Sequence, residues 1–361
     1  MPARYRSRLC FRNVLPFAVA LLTWLYVGGI FWYLVAQGAQ LGQEARVREE
    51  QAWAQLNPIR LENLSSLQLI RQNRLLSRAT SLAFSPSGRY LAAGSDAADV
   101  TIFEVVSNRR IARFAEFGVY VLDVAFSPDE TIIASADSSG AIRLWDLSTG
   151  RLLYTLRSHT DQANALAFHP EGIWLVSGAS DATVLVWEWQ TGRVKQSYRL
   201  NGSVGALAFS SDGRFLAAGD LSGQVWLWRV LEDEPLCRWK HPGGVTDVRF
   251  LPDSGLVYAA GGDSISSWNA EDCAASLSFT SPHREPVGKI ALSPDGRLLV
   301  GAGGKWRQPG LWAWSLPDGR LVRAGSLPPT AEAVREIIFN PDGRVFVTGS
   351  HDALIRWWGV K

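Results

Sequence analysis

Five histidines, three cysteines and several glycine clusters are the residues of this 361-residue chain whose types could do chemistry. A histidine metal site needs imidazoles within about 2 Å of one ion. His159, His169, His241, His283 and His351 are instead spread along half the chain, and three of them fall at one repeated position. His351-Asp352 has the composition of an acid–base pair, yet it stands in register with the turn at Ser180-Asp181. Gly301-Ala302-Gly303-Gly304 and Gly261-Gly262 lack the Lys-Ser/Thr that closes a phosphate-binding loop, so they read as turns. Cys10, Cys237 and Cys273 form neither a metal motif nor a disulfide framework, although Cys237 and Cys273 could pair in an oxidising compartment. No catalytic, cofactor or metal site is predicted. The segment Lys305-Trp306-Arg307 is different in kind. A tryptophan between two cations has the chemistry of a protein contact, because Trp and Arg contribute heavily once desolvated.

These residues sit in a repeat. Phe84-Ser85-Pro86 opens a phrase that returns around Phe126, Phe168, Phe209, Phe250, Leu292 and Phe339, at spacings of 42, 42, 41, 41, 42 and 47 residues. A period in the low forties marks an array of like units. Each unit holds four short apolar runs separated by turn residues; in the third, Ala165–Phe168 leads to Trp174–Gly178, then Val184–Trp187, then Gln190-Thr191-Gly192-Arg193 and a last run. Four-stranded units repeated radially make propeller blades. The seventh unit, from Glu336, supplies only three strands, while Leu67–Arg71 is a surplus strand ahead of the first unit. The expected fold is therefore all-β, a seven-bladed ring over residues 65–361 whose last blade is completed by the N-terminal strand.

The units resemble WD repeats. Trp145-Asp146 keeps the dipeptide of that family, and Phe103, Trp187, Trp228, Trp268, Trp314 and Trp358 stand at the matching aromatic position. The resemblance implies a buried His–Ser–Asp–Trp network, complete only in blade three as His159, Ser177, Asp181 and Trp187. His241 and His283 match the His position of blades five and six, and Thr348 and Asp352 match two positions of blade seven. It also implies a binding rim where the inter-blade loops meet the loops joining second and third strands. Residues four and six positions before each repeat's Phe should line it: Arg78, Thr80, Tyr120, Leu122, Gln162, Asn164, Thr246 and Arg335. Blade six replaces a tight turn with Gly304–Pro309, which would expose Trp306 on a loop without strand alternation; the competing reading packs Trp306 back on its blade.

Ahead of the ring, Val14–Ala36 is a run of 23 uncharged residues, enough to cross about 30 Å of hydrocarbon as a helix. A cleaved signal peptide, cut near Ala36-Gln37-Gly38-Ala39, is the alternative. Arg4, Arg6, Arg8 and Arg12 precede the run, which places residues 1–13 in the cytoplasm and the ring on the far side. Residues 37–64 form a stalk and linker, helix-favouring between Gln43 and Leu56 and stopped by Asn57-Pro58. A net charge of +2 supplies no basic excess for nucleic acid. The leading functional reading is a membrane-anchored, non-catalytic platform for protein partners, one form of which is an accessory subunit of a membrane complex. A ligand-sensing extracytoplasmic propeller and an enzyme using the central funnel are the alternatives; the first lacks a long cytoplasmic output segment and the second lacks convergent catalytic groups.

Overall fold

The computed structural model describes residues 40, 42–115, 118–305, 308–316, 318–326 and 333–361. The expected membrane segment at 14–36 and the site residues Trp306 and Arg307 lie outside them. Among the described residues no helix is long and apolar enough to cross a membrane. The chain divides at Gln55/Leu56 into two units. In the first, residues 42–54 are helical.

The second unit is a ring of seven four-stranded antiparallel sheets. The innermost strands are Ala79–Phe84, Val121–Phe126, Ala163–Phe168, Val204–Phe209, Asp247–Phe250, Val287–Leu292 and Val334–Phe339. Each packs on its successor, and the last packs on the first, which closes the circle. The second strands, such as Ile132–Asp137 and Phe215–Asp220, are buried on both faces because a blade covers each side. That burial explains their unbroken small and branched apolar residues.

Blade packing is carried by rings. Phe114, on the outer strand of blade one, stacks on Trp145 of blade two with centroids 5.2 Å apart. Trp239 stacks on Trp268 in the same way at 5.1 Å, and Tyr198 meets Trp228 and Phe279 meets Trp314 at a tilt, at 4.6 and 5.4 Å. The recurrent Trp is thus the floor on which the previous blade rests, an arrangement that large flat side chains favour. Cys237, in the outer strand of blade four, is disulfide-bonded to Cys273 of blade five, beside the Trp239–Trp268 stack.

The seventh sheet takes its outer strand from the N-terminus. Gln68–Arg74 pairs antiparallel with Leu354–Gly359, from Gln68 opposite Gly359 to Arg74 opposite Leu354. The strand runs three residues beyond the expected Arg71, and the polar extension has work to do. Asn73 accepts the Trp357 indole N–H at 2.6 Å and donates to Asn108 of blade one at 2.8 Å. Arg71 lies 3.9 Å over the Trp357 ring and donates to the Val105 carbonyl. The segment before it belongs to the ring as well: Asn57 bridges to Val360, and Ile59 and Leu64 are buried against Val300 and Phe346. The compact unit therefore begins at Leu56, earlier than the expected residue 65.

Candidate protein-interaction site

A bulge recurs in the innermost strands. In blade one the ladder pairs Ala79 with Ser95 and then Ser81 with Gly94, skipping Thr80. Leu122, Asn164, Gly205, Gly288 and Arg335 are skipped likewise. A bulge adds one residue to a strand and re-aims its side chain. Here the re-aimed residues, with Thr246 of blade five, all line one opening of about 390 Å³ at the upper end of the channel. Gln162 lines it as well, as do Ser180 and Leu221 from the turns joining second and third strands.

Asn164 is fixed there by donating to Ser180 Oγ at 2.9 Å and to the Val204 carbonyl at 3.0 Å. Thr246 Oγ donates to the Gly288 carbonyl at 2.8 Å and ties blade five to blade six. Arg335 stands exposed at the mouth. Arg78 and Tyr120, grouped with them by sequence register, do not line the opening: Arg78 reaches to 3.8 Å from Asp96, and Tyr120 is exposed to solvent.

Below the opening the channel holds a charge network that sequence reading missed. Arg249 Nη2 lies 2.9 Å from Glu336, and its Nε 3.1 Å from Asp247. Lys289 Nζ lies 3.2 Å from Glu336. Asp123 accepts Ser81 Oγ at 2.6 Å on one side and the Leu166 amide at 2.7 Å on the other, bridging blades one, two and three. Asp247 accepts the Ile290 amide of blade six at 2.9 Å. Burial pushes the Asp123 carboxyl above its ordinary range, against the Ser81 hydrogen bond. Burial alone would lower the Lys289 ammonium, but Glu336 and Asp247 outweigh it and hold the proton more firmly. The signal was available: Arg249 occupies a position where five other blades carry Ala83, Ala125, Ala167, Ala208 and Ala291.

In blade three, His159 Nδ1 is 3.1 Å from Asp181, His159 Nε2 is 2.7 Å from Ser177 Oγ, and the Trp187 indole donates to the same Oγ at 2.8 Å. Other blades hold parts of this set. Trp145 donates to Ser135 at 3.2 Å while Arg143 pairs with Asp137, and Trp358 donates to Thr348 at 3.1 Å while Arg356 pairs with Asp352. His241 is buried but faces Gly243, because Ala259 stands where a serine would receive it. His283, which matches the His position of blade six in sequence, is exposed in a short turn with φ of 56° and joins no such set among the described residues.

Blade six corrects the expected loop. Its ladder continues through Gly304 opposite Pro309 to Lys305 opposite Gln308, so the extra length is a longer hairpin. Among the described residues no group of three or more His, Cys, Asp or Glu is placed to hold a metal ion.

Comparison with known proteins fits this architecture. Residues 78–359 match the family model described as the IFT122 first β-propeller. Pre-mRNA-processing factor 19 of Caenorhabditis elegans is 29% identical over 164 residues, covering 44% of this chain and 32% of that protein. Human WD repeat-containing protein 43 is 25% identical over 170 residues, 43% of this chain and 24% of its own. A WD repeat-containing protein of Synechocystis is 26% identical over 152 residues, 41% and 42% of the two chains. In each case the match spans less than half of the relative's length. Propellers of this kind are typically non-catalytic scaffolds for protein partners. With most of its length inside that match, this chain belongs to the IFT122 first β-propeller family of WD-repeat proteins.

Proposed function

We propose that this protein is a membrane-anchored, non-catalytic platform that gathers protein partners at the upper mouth of its ring. One observation carries the reading: all seven blades contribute to a single opening, six of them through the residue at a strand bulge and blade five through Thr246. A closed ring holds that opening rigid, so a partner meets a preformed surface and loses less freedom on binding. The hairpin that carries Lys305 joins the second and third strands of blade six, the same kind of turn that brings Ser180 and Leu221 to the mouth. Lys305, Trp306 and Arg307 are proposed as a second contact on that side, with Arg78 and Tyr120 on the rim.

The anchor is residues 14–36, supported by their uncharged length. The Cys237–Cys273 disulfide favours the ring lying outside the cytoplasm, since such bonds persist in oxidising compartments. Affinity purification from detergent-solubilised membranes tests the platform. The wild-type chain should retain a defined protein partner, and a chain whose mouth is filled by Gly288→Phe together with Gln162→Trp should lose it. Equal recovery from both would refute a partner seated at the mouth.

A further inference from the structure

The charge of the upper mouth is one-sided. Its lining contains two ionisable residues, Lys289 and Arg335, both cationic and on adjacent blades. The channel acids Asp123, Asp247 and Glu336 line the lower chamber, and Lys289 lies where the two chambers meet. Arg335 makes no ion pair among the described residues and is exposed. Gly288 stands in the ring between blades five and seven, and a Cβ added there would meet nothing within 4 Å. Thr80 of blade one also lines the opening, and its Oγ1, which lies toward Gly94 of its own blade, is buried without a hydrogen-bond partner among the described residues.

We infer that this notch between blades six, seven and one receives a carboxylate from the partner, held by Arg335 and Lys289. The inference rests on the reading of the upper mouth as the partner face and names the chemistry recognised there. A guanidinium fork matches the two oxygens of a carboxylate, and Lys289 adds a second cation deeper in. One of those two charges is already shared with Glu336, 3.2 Å from the ammonium. The surplus is close to a single positive charge, which suits a carboxylate better than a phosphate dianion. An opening of about 390 Å³ admits a side chain or a chain terminus and excludes a folded element.

Fluorescence anisotropy on the detergent-solubilised full chain provides the test. The probes are labelled Gly-Ser-Glu-Glu-Ser-Gly amide and its counterparts with Gln or phosphoserine in place of Glu. The Glu peptide should bind saturably, at least tenfold tighter than the Gln peptide and tighter than the phosphoserine peptide, and rising salt should weaken it. Arg335→Glu and Gly288→Phe should each weaken it tenfold or more; Arg335 is exposed, so that variant carries the test even if Gly288→Phe fails to fold. Free glutarate as competitor separates the sources: displacement shows that the carboxylate alone is recognised, and no displacement shows that it is recognised on a chain. Equal binding of Glu and Gln peptides, tighter binding of phosphoserine, or indifference to Arg335→Glu would overturn the inference. If the same variants still recovered partner proteins through the mouth, the platform would stand and the carboxylate would fall.

Discussion

Arg249 and Glu336 meet at 2.9 Å inside the channel although their strands lie two blades apart. The pair spans the inner edge of blade six and, with Lys289 and Asp247, braces the arc from blade five to blade seven. The complete His–Ser–Asp–Trp set, in blade three, lies outside this arc. Removing one member of a buried pair strands the other, so Glu336→Gln should cost on the order of 3 kcal/mol, near the low end for such pairs because Arg249 keeps some contact with water. Chemical denaturation of the two proteins measures this. A loss no larger than that of a surface substitution would show that the network does not brace the ring.

Ring closure gives a second prediction. Deletion through Gln55 should leave a cooperatively folding unit, because the compact unit that holds the ring spans Leu56–Lys361. Deletion through Arg74 removes the outer strand of blade seven together with its ties to Trp357 and Val105. Thermal unfolding of that truncation should lose its sharp transition. Indistinguishable transitions in the two truncations would contradict closure by the N-terminal strand.

The repeat itself was legible because its Phe and its turns are local and recur in phase. The bulges were not, since they leave no composition signature: Thr80, Leu122, Asn164 and Gly205 share only a position. The strand end was misplaced because Gln72-Asn73-Arg74 is polar, and its value lies in contacts with Trp357 and Asn108, far away in sequence. The channel network was hidden for the same reason, its Arg249–Glu336 pair alone being separated by 87 residues. Only the exceptional arginine at a position of alanines hinted at it.

Acid should weaken blade three. Burial lowers the His159 imidazole below its usual range, with Asp181 opposing. Burial would raise Asp181, but hydrogen bonds from Thr183 and the Thr160 amide outweigh it and lower the carboxyl. Both folded-state values are depressed, so their stabilisation is complete above the unfolded values, roughly 6.5 and 3.9, and is lost as pH falls through the folded ones. His241 is lowered by burial too and has the same sign. The fall in Tm from pH 7 to pH 5 should therefore be smaller in His159→Phe than in wild type. Parallel curves would exclude a buried neutral His159.

The disulfide between blades four and five should matter despite the closed ring. Reduction should lower stability by about 2–4 kcal/mol, and Cys237→Ala should abolish the sensitivity to reductant. Alkylation of both thiols in protein isolated without reductant would contradict the bond.

The platform reading is tested most directly by where partners touch. A photo-crosslinking residue at Gln162, inside the upper mouth, is compared in intact membranes with one at Leu153, exposed on the outer strand of blade two. Adducts identified by mass spectrometry should form a defined set at Gln162 that is absent at Leu153, and Trp306→Ala should reduce that set without lowering Tm. The same adducts at both positions, or none at Gln162, would contradict a partner-binding mouth.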